Sequence, residues 1–362
     1  MKIGIVGLAQ SGKTTLFNAL TGSQVDTTAF SGKVEAHRAI VHVPDDRLEL
    51  LNDIFQPKKK VPAIVEYIDL GGLSTSEQKK SGFSDQFLGA IRLVDAILVV
   101  VRTFKNETIP HPANSLDSLR DFKNIEAEFV IADLSIVENR MDRLQRQMKS
   151  KKLDADVREL VFLEKCQTFL EDEKPLRLLD MSDEEELIVR GYQFLTQKPL
   201  IVVVNIDEDD IQNELEVLKP FQKVISGQNA TMLCIAAQIE MEIQQLSENE
   251  ANMFLQELGI SESAMGRLIR ASYDLLGLLS FFTVGSDEVR AWTIKRGIKA
   301  PQAAGAIHTD FERGFIRAEV VHYEDFISRK SLPRCKTDGV LRLEGKDYIV
   351  KDGDIINFRF AV

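Results

Sequence analysis

Between an apolar run, Lys2–Val6, and a helical pattern, Lys13–Leu20, lies Gly7-Leu8-Ala9-Gln10-Ser11-Gly12-Lys13-Thr14. The stretch fits G-x-x-x-x-G-K-[ST] in the strand–loop–helix setting that gives the pattern its meaning. Glycines let such a loop curl until successive backbone N–H groups converge on phosphate oxygens at the positive end of the following helix. Lys13 is expected to reach the β- and γ-phosphates and Thr14 to ligate Mg²⁺. Ala9, Gln10, Ser11, Gly12 and Thr15 complete the expected nucleotide-binding turn.

A loop of this kind needs a parallel sheet around it. Ala39–Val43, Ile64–Ile68, Ala96–Val101, Leu200–Val204 and Met232–Ile235 read as further strands, and the continuous apolar runs among them suit strands covered on both faces. Separated by helical stretches, they predict an α/β fold with a mostly parallel sheet. The stretch Ser118–Lys198 breaks the rhythm with two helical patterns, divided at Ser150-Lys151-Lys152, that predict an antiparallel pair with charged outer faces. After a helix expected over Met265–Leu279, short strand-like pieces alternate with turns for about 80 residues. Three parts follow: a nucleotide-binding domain of residues 1–118 and 199–279, a helical insertion of 119–198, and a β-rich domain of 280–362. The 362 residues support this division, since chains beyond roughly 250–300 residues seldom keep one core.

Composition narrows the setting. No apolar run exceeds about six residues, far short of the ~20 that span a bilayer, and Met1–Gly7 has no signal-peptide core. Three cysteines without metal-ligand spacing suit a reducing cytosol, so a cytoplasmic protein with no membrane partner is expected. The net charge is −11, divided as +2 over residues 280–362 and −13 over the rest. A nucleic-acid contact is therefore open to the end of the chain and not expected for its middle, and DNA is not expected as a partner.

Two further motifs bear on chemistry. Asp69-Leu70-Gly71-Gly72 follows a strand and fits D-x-x-G: Asp69 would hold Mg²⁺ through water, and the Gly72 N–H would meet the γ-phosphate. The next residue, Leu73, stands where Ras-type GTPases place the Gln that orients the attacking water, and Leu cannot hydrogen-bond water. Asn205-Ile206-Asp207-Glu208 ends a strand where N-K-x-D would read guanine. Glu208 carries its carboxylate one methylene further than Asp, off the guanine-reading position, while Asn205 can pair with N7 and the adenine 6-amino group. ATP is expected over GTP; a surface acidic loop over Asp207–Asp210 is the other reading.

Together with the C-terminal sequence, these residues resemble the YchF / Obg-like ATPase family. The likeness runs over essentially the whole chain and is most specific in Arg290-Ala291-Trp292-Thr293-Ile294, Lys299-Ala300-Pro301-Gln302-Ala303-Ala304-Gly305, Ile307-His308-Thr309-Asp310-Phe311-Glu312 and Gly314–Val320. The end resembles a TGS domain, a ubiquitin-like β-grasp fold, and the helical pair resembles the family's coiled-coil arm. The resemblance implies slow, Mg²⁺-dependent ATP hydrolysis, a hydrophobic residue at the catalytic-Gln position, and association with the ribosome or its RNA. It implies adenine reading by Asn205 and Glu208, a last base-contacting loop at Ala236-Ala237, and a water-positioning role for His111. An exposed loop His between Pro110 and Pro112 is as readily a turn residue.

The chain departs from the family in places. Ala9, Gln10 and Ser11 replace P-N-V in the loop, and Lys33-Val34-Glu35-Ala36 stands where the family has T-I-E-P, whose Thr ligates Mg²⁺. Charged Lys33 cannot ligate a cation and is expected instead to place its charge near the γ-phosphate. The ribosomal contact is expected through Lys295, Arg296, Lys299, Arg313 and Arg317, with solvated surface charge as the alternative for all five. Cys335, flanked by Arg334 and Lys336, is read as a thiol whose pKa positive charge could lower, and Cys234 as core. Two other functions stay open: a GTP-specific switch of the Obg type, and a nucleotide-sensing scaffold that does not hydrolyse.

Overall fold

The computed structural model of the chain describes residues 1–22, 37–70, 83–106 and 108–361. They form two compact units, one of residues Met1–Ala39 and Glu66–Met265, the other of Ile40–Val65 and Gly266–Val362.

The first of two sheets is formed by strands β1 (Lys2–Val6), β2 (His37–His42), β4 (Ile64–Asp69), β5 (Ala96–Arg102), β6 (Leu200–Asn205) and β7 (Ala230–Ile235), and β3 (Lys59–Val61) lies elsewhere. They hydrogen-bond in the order β2-β4-β1-β5-β6-β7. The pairs β1–β4, β1–β5, β5–β6 and β6–β7 are parallel. Every residue of β5 and β6 is buried, which is why their sequences are almost unbroken Val, Ile and Leu: helices cover both faces. Phe87, Ile91, Phe122, Ile125 and Phe129 pack on one side of that core with Val99 and Val202. The loops that follow β1, β5 and β6 leave the carboxyl ends of parallel strands, where open α/β sheets bind ligands.

The insertion is a helical hairpin of Ser118–Ser150 and Asp154–Glu171. Val137, Leu144, Phe162, Leu163, Cys166 and Leu170 form its seam. At its root Asp133, fully buried, accepts from Arg92, from the Leu195 and Thr196 amides and from the Thr196 hydroxyl at 2.8–3.0 Å. Each carboxylate oxygen is thus satisfied, which a buried charge requires.

The second unit carries β8 (Leu278–Thr283), β9 (Glu288–Lys295), β10 (Phe315–His322), β11 (Arg342–Glu344) and β12 (Asp354–Phe360) in the order β11-β10-β12-β8-β9, with β3 added beyond β9. β8–β9, β10–β11 and β10–β12 are antiparallel, whereas β12 runs parallel to β8 at the centre. Helix Ala300–Ile307 lays Ala300, Ala303 and Ala304 on Phe281, Ile294, Val320 and Phe358, completing a β-grasp arrangement. The preceding helix ends at Leu275, and Gly277 at φ +63° reverses the chain, so Leu278 and Leu279 lie in β8 and not in the helix expected over Met265–Leu279.

Residues 40–65 belong to this second unit although they follow β1 and its helix in sequence. β3 pairs in parallel with Glu288–Arg290 of β9. Helix Asp46–Phe55 stacks Phe55 on Phe326, with ring centroids 5.4 Å apart. Arg47 donates to Asp45 at 2.8–2.9 Å and to Asp352 at 2.7 Å, and its guanidinium lies 5.3 Å from the centroid of Phe282. Among the described residues no helix is long and apolar enough to cross a membrane.

Candidate functional site

The loop of residues 7–14 joins β1 to helix Lys13–Thr21, and its curl depends on two left-handed residues, Gln10 at φ +61° and Gly12 at φ +94°. A side chain on Gly7 would meet the Val100 carbonyl oxygen at 2.4 Å, and one on Gly12 would meet Asn205 Nδ2 at 2.1 Å. Glycine is needed at both places. Gly12 caps the helix without a side-chain bond, which leaves its first amides to a ligand. The Ser11 hydroxyl is buried and finds no partner among the described residues, and Ala9 and Gln10 are exposed at the crest.

Lys13 is 7% exposed and donates to the Gly7 and Leu8 carbonyls at 2.9 and 2.6 Å. Burial lowers its pKa to about 8, against the upward pull of the Asp69 carboxylate. Thr14 Oγ1 donates to Asp69 Oδ2 at 3.3 Å, and Thr15 lies half-buried beside it. A hydroxyl and a carboxylate converging at the mouth of a phosphate loop are the hard oxygen donors that suit Mg²⁺. Among the described residues no cluster of three or more His, Cys, Asp or Glu is arranged for a metal.

Asn205 closes the site from the side. It is 4% exposed, donates through Nδ2 to the Ser11 carbonyl at 3.1 Å, and accepts at Oδ1 from the Ala237 amide at 3.1 Å. One side chain therefore ties the phosphate loop to the loop after β7, using one of its two Nδ2 hydrogens and one Oδ1 lone pair to do so. Ile206, Ala236 and Ala237 are buried around it, and Glu208 stands exposed at the start of the short helix Glu208–Asn213.

His111 lies in the same cleft as Leu8, Ala9, Ser11, Arg102 and Asp121. Its Nδ1 accepts from the Ala113 amide at 3.1 Å, which assigns the proton to Nε2, and Nε2 donates to Asp121 at 2.8 Å. Both ring nitrogens are held by protein, and the side chain is only 9% exposed, so this is no free surface histidine.

Sequence reasoning missed three groups around the site. Arg102 at the end of β5 donates to the carbonyls of Phe104, Asn106 and Ile109 at 3.0–3.3 Å and stacks on the Phe104 ring. The Phe104 ring edge lies 3.9 Å from the point a Gly12 Cβ would occupy. Asp121 is held by Arg120 as well as His111. An arginine closing an otherwise apolar strand is the one signal that could have flagged the first of them.

Gly72, Leu73 and Lys33 with residues 34–36 lie outside the described residues. Of the five C-terminal cations, Arg296 pairs with Asp274 at 3.2 Å and Lys299 with Asp347 at 2.7 Å. Lys295, Arg313 and Arg317 are exposed and make no ion pair among the described residues. The reading of Cys335 needs correction: helix Leu332–Thr337 turns the thiol inward, and burial raises its pKa, with Arg329 as the lesser opposing influence. Cys234 is buried in β7.

Comparison with known proteins adds matches of three kinds. The YchF-GTPase_C family, described as a protein of unknown function (DUF933), matches residues 278–361, and the MMR_HSR1 family, described as a 50S ribosome-binding GTPase, matches residues 2–139. The chain is 43% identical to a protein of Bacillus subtilis (strain 168) named ribosome-binding ATPase YchF, over 99% of each chain. A protein of the same name from Escherichia coli O157:H7 is 42% identical over 100% of this chain and 99% of its own. Among solved structures, the Schizosaccharomyces pombe YchF GTPase superposes with a TM-score of 0.87 at 33% identity, covering 99% of this chain and 97% of that one.

Proposed function

We infer the function from one premise: this chain belongs to the YchF family. It is a P-loop nucleoside triphosphatase that works as a ribosome-associated molecular switch, in line with the name its relatives carry, ribosome-binding ATPase. ATP is its preferred nucleotide, Mg²⁺ its cofactor and the cytoplasm its compartment. The domains are 1–118 with 199–279 for the nucleotide, 119–198 for the arm and 280–362 for the TGS part. The TGS part reaches ribosomal RNA through Lys295, Arg296, Lys299, Arg313 and Arg317.

One observation carries the reading: the fixed Lys13–Asp69–Thr14–Asn205 group around a glycine-curled loop. An incoming triphosphate draws the Lys13 ammonium off the Gly7 and Leu8 carbonyls, and the loop amides take the phosphate oxygens. Thr14 and Asp69 are the groups that would hold Mg²⁺. When bound, that ion neutralises charge on the β- and γ-phosphate oxygens. Asn205 keeps the phosphate loop and the Ala236-Ala237 loop at a fixed spacing while its free amide valences meet adenine. His111, lodged beside the loop, orients the attacking water in place of the glutamine that Leu73 replaces.

Paired titrations of the wild-type chain and Glu208→Asp with labelled ATP and GTP test this, with Mg²⁺ present. ATP should bind more tightly to the wild type, and the shortened carboxylate should move the ratio toward GTP by at least about tenfold. A wild-type preference for GTP would replace this reading with that of a guanine switch. Single-turnover assays showing no phosphate release, with or without ribosomes, would leave a sensing scaffold instead.

A further inference from the structure

The helical arm separates its charges along its length. Its distal part, Arg140 to Arg158, holds seven Lys or Arg against three Asp or Glu, whereas residues 118–139 and 159–171 together sum to −5. This +4 cap sits on a chain of net charge −11. Arg143, Arg146, Lys149, Lys151 and Lys152 are all exposed, and none makes an ion pair among the described residues. Arg140, nearer the root, is by contrast committed to Glu159 at 2.8 Å. Leu144, fully buried, marks the seam of the hairpin, and the 100° step of a helix puts Arg146 and Lys149 on the opposite, outward face, with Arg143 on its flank. Helix Ser118–Ser150 has 33 residues, so the cap stands up to about 50 Å from the helix start.

We propose that the arm tip, through Arg143, Arg146, Lys149, Lys151 and Lys152, is a docking surface for the phosphate backbone of RNA. Like charges kept unpaired at the end of a rod repel one another, and a polyanion relieves that repulsion while releasing its own condensed counterions. The tip offers no aromatic side chain for base stacking, and a two-helix end is too wide to enter the deep, narrow groove of an RNA duplex. Contact is therefore with phosphates and without sequence preference. A lipid surface is disfavoured because between residues 140 and 158 the exposed large apolar side chain is Leu153 alone, too little to insert. The proposal adds a second surface to the ribosome-binding reading and rests on it for the source of the RNA.

The test uses the full-length chain and the fourfold variant Arg143→Glu, Arg146→Glu, Lys149→Glu, Lys151→Glu. Circular dichroism shows that the variant keeps its helices, and ATP titration shows that its nucleotide site is intact. Binding to a mixed-sequence 20-base-pair RNA duplex is measured across a salt series, alongside ribosome sedimentation and vesicles containing phosphatidylserine. The variant should bind the duplex at least about tenfold more weakly, and the slope of log K against log salt should fall by about three. Unchanged affinity and slope would overturn the proposal even if both proteins still sediment with ribosomes. So would binding of the wild type to vesicles but not to the duplex. If the wild type fails to sediment with ribosomes, the ribosomal reading falls, and the duplex result still decides the tip.

Discussion

Asn205 donates from Nδ2 to the carbonyl oxygen of Ser11 across 3.1 Å, with both residues buried. A residue placed by its motif at the base is thereby also the strut of the phosphate loop. Asn205→Ala should weaken ATP binding between about tenfold and a hundredfold, because two buried partners, the Ser11 carbonyl and the Ala237 amide, lose their bonds. Gly12→Ala should be worse, since it adds a strained φ to a 2.1 Å collision with Asn205. Calorimetric titration measures both.

Lys13 gives a proton-linked prediction. Burial lowers its pKa to about 8, and phosphates beside it favour the ammonium form. ATP binding above pH 8 should therefore take up as much as one proton, and affinity should fall as pH rises from there. Calorimetry in buffers of different ionisation enthalpy reads the uptake directly. Lys13→Arg, always charged, should show none. The folded chain also binds fewer protons at this site than the unfolded one between about 8 and the ordinary 10.5, so stability before nucleotide binding should rise across that window.

His111 is held between the Ala113 amide and Asp121. If it orients water, His111→Ala should lower kcat at least about tenfold while ATP affinity changes less than about twofold. Equal losses in both would mark it as a loop support. Single-turnover phosphate release beside equilibrium titration separates the two.

Arg47 offers a control within the second unit. It joins Asp45 to Asp352, and those carboxylates hold its pKa above the usual range even though burial opposes this. Arg47→Ala should cost about 1–2 kcal/mol after allowing for solvent screening around the half-exposed pair. Thermal melts should show a lower transition, and ATP affinity should stay within about twofold.

What the sequence revealed followed the range of the forces involved. The phosphate loop and strands β5 and β6 were legible because their signals are local: a fixed spacing of glycines, and apolar runs that only burial on both faces explains. β3 was not legible, since Lys59-Lys60-Val61 has no periodicity and becomes a strand only by pairing with Glu288–Arg290. The second role of Asn205 was hidden for the same reason, because it depends on where β6 sits beside the loop after β1. Cys335 misled through its neighbours Arg334 and Lys336: one turn of helix put them outside and the thiol inside.

The added strand β3 and the Arg47–Asp352 bridge make the second unit discontinuous in the chain. No single truncation point can therefore yield that unit whole. A fragment starting near residue 278 would leave one sheet margin bare along β9 and expose Phe326, and its complement would carry helix Asp46–Phe55 and β3 without the sheet and the ring that they pack on. Dissection of this protein calls for two breaks and a splice, or for point substitutions in the intact polypeptide.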